Sequence, residues 1–115
     1  ADSGNHRIVA WKAGAMHGDV VAGGKGQGNG LDQLSEPSAV LVDRIHDRLI
    51  VSDTGNRRVM RWSLQENNPV GEVFIMDIKS FGVAMDDQGS LYVSDSEKHE
   101  VRRYHEGDRE GILVA

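Results

Sequence analysis

Three groups of residues in this 115-residue chain are of types that carry chemistry: five histidines, a glycine-rich run and a pair of carboxylates. His6, His17, His46, His99 and His105 are scattered and show no metal-ligand spacing. With no cysteine, the chain offers no thiolate nucleophile, no disulfide and no thiolate-bound zinc or iron–sulfur cluster. The run Gly23-Gly24-Lys25-Gly26-Gln27-Gly28-Asn29-Gly30 invites a phosphate-loop reading, but the register fails. A Walker A loop needs glycine where Asp19 stands, and a hydroxyl residue where Gly26 stands. A dinucleotide fingerprint started at Gly24 or Gly26 reaches Asn29 or Leu31 instead of glycine. The run therefore reads as a flexible loop insertion. Asp86-Asp87 precede Gln88-Gly89, which is hairpin-turn chemistry. The chain holds no Gly-x-Ser-x-Gly elbow and no Asn-x-Ser/Thr glycosylation site.

Arg57, Arg58, Arg61, Arg102 and Arg103 form a basic set, yet they alternate with apolar residues and neighbour Asp, Glu and Gln. This reads as a solvated or salt-bridged face rather than a nucleic-acid groove. A net charge of −5 points the same way, because a phosphate-binding protein must carry surplus cations. No stretch approaches the roughly 18 apolar residues of a membrane span. The polar start Ala1-Asp2-Ser3-Gly4-Asn5-His6 lacks the layout of a signal peptide. Secreted and cytosolic locations both stay open. The chain has no initiator Met, so it reads as processed, truncated or cut from something longer.

These residues belong to a repeat. Asp2-Ser3-Gly4-Asn5-His6-Arg7-Ile8 returns as Asp53-Thr54-Gly55-Asn56-Arg57-Arg58-Val59, and in worn form as Asp95-Ser96-Glu97-Lys98-His99-Glu100-Val101. Nine residues after each Asp stands an aromatic: Trp11, Trp62 and Tyr104. Upstream, Leu49-Ile50-Val51-Ser52 parallels Leu91-Tyr92-Val93-Ser94. Asp2 and Asp53 are 51 residues apart and Asp53 and Asp95 are 42 apart, the glycine run accounting for the longer interval. Short β-branched or aromatic segments bounded by Gly, Asp, Asn and Pro predict strands near 7–11, 19–22, 39–42, 49–52, 58–62, 72–76, 82–85, 91–94, 100–104 and 112–115. The nearly continuous apolar runs 39–42 and 49–51 should be covered on both faces, whereas 59–62 and 101–104 should each have one wet face. Four strands per roughly 42 residues is the blade period of a β-propeller. The expected fold is all-β, built of blades of four antiparallel strands in an incomplete ring.

The chain resembles the NHL-repeat family. The family pattern of Pro-x-Gly-Val-x-Val-Asp, then Leu-Tyr-Val-x-Asp-x-Gly-Asn-x-Arg-Val, then an aromatic, appears here as Pro37 to Asp43, Leu49 to Val59 and Trp62. The third copy departs from it, with Glu97, Lys98 and Glu100 where Gly, Asn and Arg belong, and Ser80 at the place of Pro37. Residues 1–22 read as the C-terminal half of a blade, 23–36 as a glycine-rich inter-blade loop, 37–76 as a full blade and 77–115 as a full degenerate blade. The resemblance implies a longer ring of roughly five to eight blades, most often six, completed by the same or another chain. Asp2, Asn5, Arg7, Trp11, Asp53, Asn56, Arg58, Trp62, Asp95 and Tyr104 are structural motif residues. Asp53 accepts hydrogen bonds from the following turn, Gly55-Asn56 tolerate positive φ, Arg58 returns to a carboxylate, and the aromatics pack between blades. No catalytic residue, metal ligand or cofactor is predicted. The implied function is a non-enzymatic interaction module that presents a loop surface to a protein partner. A propeller lyase or hydrolase with a metal at the central channel stays open, with His6 and His99 at equivalent positions. RNA binding, as in some relatives, also stays open against the acidic charge.

Overall fold

The computed structural model describes residues 1–10, 19–64, 70–105 and 111–115, so Trp11 and His17 lie outside the described residues. Among the described residues ten strands follow in chain order: β1 (Arg7–Ala10), β2 (Asp19–Gly23), β3 (Ala39–Asp43), β4 (Arg48–Asp53), β5 (Arg58–Ser63), β6 (Glu72–Met76), β7 (Val83–Met85), β8 (Leu91–Asp95), β9 (Glu100–Tyr104) and β10 (Ile112–Leu113). They stand where the sequence places them. β1 and β2 pair as a two-stranded sheet, β3 to β6 form one four-stranded antiparallel meander, and β7 to β10 form another. The chain is thus all-β, built of antiparallel propeller blades, and the sheets do not close into a ring. We call β3–β6 the first blade and β7–β10 the second.

Two apolar cores hold the three sheets together, and the alternation along β4 shows how. Leu49 and Val51 point to one side and join Ile8, Ala22, Leu34, Met60 and Trp62. Ile50 points to the other and joins Val59, Ile75, Ile78, Leu91, Val93 and Tyr104. Successive strand residues face opposite ways, so a strand between two sheets must be apolar at every position. All residues of β4 after Arg48 are buried.

Two burial expectations are corrected. The alternating segment Val59-Met60-Arg61-Trp62 has no wet face: Val59 enters the second core, Met60 and Trp62 enter the first, and Arg61 is half-buried with its guanidinium 4.4 Å from the Phe74 ring centre. An arginine laid on an aromatic satisfies an inter-blade position that the residue type alone assigns to water. Conversely, the apolar run of β3 is only half-buried and Val42 is 51% exposed. β3 is the edge of its sheet, so neighbours cover only part of it.

Candidate functional site

The repeated motif begins where a strand ends. After Asp53 the chain makes a 3-10 turn, Thr54–Asn56, before β5 starts, and the same turn, Ser3–Asn5, precedes β1. The left-handed residue is the one after the Asn position, held by Asn5, Asn56 and, in the third copy, Lys98: His6, Arg57 and His99 have φ of 55°, 54° and 54°. This corrects the expectation for Gly55-Asn56, because Gly55 is needed for space and not for its φ. A Cβ there would meet Ser35 Oγ at 2.4 Å and the Ser35 carbonyl oxygen at 2.5 Å, whereas a Cβ on Gly4 would meet nothing within 4 Å.

The three motif carboxylates have different surroundings. Arg7 Nε donates to Asp2 at 2.7 Å in a partly buried setting, and Asn5 adds two exposed contacts. The Arg7 hydrogen bond and charge, with Asn5, hold the Asp2 carboxyl below its ordinary range. Asp53 is fully buried, and its Oδ2 accepts from Arg58 Nε at 2.7 Å and Asn56 Nδ2 at 2.9 Å. Its Oδ1 accepts from the amide of Ser35, which precedes β3, so the turn that follows reaches Asp53 through the Asn56 side chain. Asp95 instead takes the turn amides of Glu97 and Lys98 on Oδ1, at 3.1 and 3.3 Å.

The glycine-rich segment forms a strap over the Asp53 motif, and hydrogen bonds pin it in place of the slack loop that its composition suggests. Arg58 spreads its two terminal nitrogens over the carbonyls of Asn29, Gly30 and Gln33, at 2.9–3.1 Å. Asn56 donates to the Gly28 carbonyl at 2.7 Å, and Leu34 drives into the first core with no exposed surface. A guanidinium can satisfy a carboxylate and several carbonyls at once because its donors form a fixed planar fork. Trp62 closes the floor of the first core, where Gly71 lies so near that a Cβ would sit 2.5 Å from the indole. Tyr104 occupies the matching place in the second core, in edge contact with Phe74 at 5.7 Å between ring centres, and burial raises its phenol pKa.

The 3-10 turns also border a surface cleft of about 750 Å³ that runs across the repeats. His6 and Arg57 line it from equivalent positions, together with Thr54, Lys79, Phe81 and Glu97. Arg57 pairs with Glu97 through both terminal nitrogens, one contact at 3.0 Å, which raises the arginine pKa and lowers the glutamate's. Thr54 donates to the Ser80 carbonyl at 2.7 Å and lies 2.6 Å from the Ser38 hydroxyl. Phe81 is 54% exposed, with the Lys79 ammonium 5.9 Å from its ring centre.

At the β3–β4 turn, Asp43 is fully buried and accepts from Arg48 Nε and His46 Nδ1, both at 2.9 Å, and from the amides of Ile45 and His46. Burial alone would raise its carboxyl pKa, but the His46 hydrogen bonds and the Arg48 charge outweigh it and hold it below 3.8. Its counterpart Asp86 is lowered chiefly by the Ser90 amide, despite some desolvation, and also takes the Tyr92 hydroxyl and the Gln88 amide. Among the described residues, no group of three or more His, Asp or Glu is placed to hold a metal ion. No described helix is long and apolar enough to cross a membrane.

The decisive likeness lies in the second blade. Residues 82–104 match the NHL repeat. The matched copy is the one whose turn departs most from the pattern, while its strand positions Leu91, Val93 and Tyr104 fill the second core as Leu49, Val51 and Trp62 fill the first. With the four-stranded sheets, the match gives a β-propeller-type module. No curated protein matches the chain.

Proposed function

We propose that the chain is a non-enzymatic module of NHL type whose loop face binds a protein partner, and that further blades, from this or another chain, complete its ring. The observation that carries this reading is the cleft bordered by the 3-10 turns. It is built from several repeats, so its shape depends on the blades holding their mutual positions. It combines an exposed aromatic, Phe81, with ammonium, guanidinium, carboxylate and hydroxyl groups, the composition of a protein-recognition surface. The need for further blades is supported by β1, which among the described residues pairs with β2 alone, and by Ile112 and Leu113, both more than half exposed. Open sheet edges and bare apolar faces are normally covered.

Affinity capture with the chain and with Phe81→Ala and Arg57→Glu variants tests the reading. A partner retained by the native chain and lost by about tenfold or more in both variants supports it. Equal retention by all three contradicts it. A monodisperse 115-residue monomer melting cooperatively above roughly 60 °C would contradict the incomplete ring.

A further inference from the structure

The two gaps between neighbouring sheets are closed differently. In the first, the strap lies over Asp53. In the second, between the two blades, the connection from β6 to β7 is short and a groove of about 590 Å³ stays open. Phe74, Ile78 and Tyr104 supply its apolar wall, and Asp95, Lys98 and Arg102 its polar one.

Asp95 is the unusual member. It is 5% exposed, its Oδ1 holds two turn amides, and its Oδ2 accepts no hydrogen bond among the described residues. The aligned oxygen of Asp53 carries Asn56 and Arg58, but Lys98 and Glu100 stand at those positions. Glu100 lies directly across the ladder from Asp95, as Arg58 does from Asp53, and its carboxylate is turned to Arg102 Nε at 2.6 Å. Asp77 also lines the groove. In the groove's lining Asp77 and Asp95 stand against Lys98 and Arg102, Glu100 being engaged with Arg102, and among the described residues no cation hydrogen-bonds Asp95 as Arg58 does its counterpart Asp53. The second oxygen of Asp95 is thus an acceptor free to take a cationic donor.

We propose that this groove docks an arginine-bearing loop of a protein partner, with its guanidinium on Asp95 where Arg58 sits on Asp53. Arginine fits better than lysine because, in the first gap, one planar fork reaches a carboxylate and three carbonyls together. The stem of the side chain lies along Phe74 and Tyr104. This inference rests on the partner-binding reading and gives that partner a chemistry.

The test is an amide NMR titration of the whole chain with a glycine-serine peptide carrying one central arginine, and with its citrulline twin. The amides of Glu97 and Lys98 shift with the arginine peptide, and the citrulline peptide binds about tenfold or more weaker. Asp95→Asn and Glu100→Arg each weaken the arginine peptide by a similar factor, the first by removing the carboxylate and the second by supplying a cation from within the chain. Equal binding of the two peptides, no shift at millimolar peptide, or binding that both variants leave unchanged overturns the proposal. If partner capture fails in Phe81→Ala and Arg57→Glu while the titration shows no arginine preference, the groove proposal falls alone. If the arginine peptide binds as described while no variant affects capture, only the cleft reading falls.

Discussion

The two gaps descend from one repeat, yet the first is locked from within and the second is left open. In the first, a buried carboxylate, an arginine, an asparagine and four backbone carbonyls form one network across residues 28–58. In the second, the carboxylate remains but the arginine and asparagine are gone, and so is the strap whose carbonyls they would bind. The lesson is that motif and insertion work as a pair. An arginine at position 58 is useful because a strap delivers carbonyls to it, and a strap of glycines holds its shape because Arg58 collects them.

The sharpest way to break the contrast is Arg58→Ala. It leaves Asp53 buried without its cation and three carbonyls without their donor, so about 3–5 kcal/mol of stability is lost in urea unfolding. Arg102→Ala, which removes a partly exposed pair with Glu100 and a hydrogen bond to the Gly111 carbonyl, costs clearly less in the same measurement. Comparable losses in the two variants would remove the distinction between the gaps.

Glycine substitution sharpens it next. Gly55→Ala drives a methyl into Ser35 and costs about 1–3 kcal/mol, because the strap end must move. Gly4→Ala has open space and shifts stability by no more than about 0.5 kcal/mol. Thermal melts of the pair suffice.

Asp43 gives a pH dependence on the first blade. Its folded pKa lies below 3.8, so its contribution is complete above that value and is lost as pH falls through the depressed folded one. Asp43→Asn costs about 1–3 kcal/mol at pH 7, and the gap from the native chain narrows below pH 3.8. A gap that stays constant down to acid pH would contradict this assignment. The smallest expected effect is a gain: Glu100→Arg replaces like charges facing each other across the ladder and stabilises the second blade by about 0.5–1 kcal/mol.

The strands were legible in the residues because short β-branched segments alternate with turn formers, and the recurrence of the Asp motif set their register. Which strand is covered was not, since β5 and β3 are buried or exposed by partners that come from other repeats. Arg61 shows the limit: its type assigns it to water, and Phe74, which shelters it, lies on another strand. The strap was hidden for another reason. Its hydrogen bonds run through backbone carbonyls, which carry no side-chain signature, so composition alone reads as slack loop. The cleft residues Lys79 and Phe81 lie outside the repeated motif and nothing marked them, whereas the orphaned state of Asp95 was written in the exchange of Asn and Arg for Lys98 and Glu100.

Amide hydrogen exchange tests the central contrast most directly. The Ser35 amide bonds to Asp53 at 2.7 Å and the Gly55 amide to the Ser35 carbonyl at 2.8 Å, so both mark the lock of the first gap. In the native chain both exchange slowly. In Arg58→Ala both become fast while Glu97 and Lys98, bound to Asp95, keep their native rates. Unchanged protection of Ser35 and Gly55 in that variant would contradict the account.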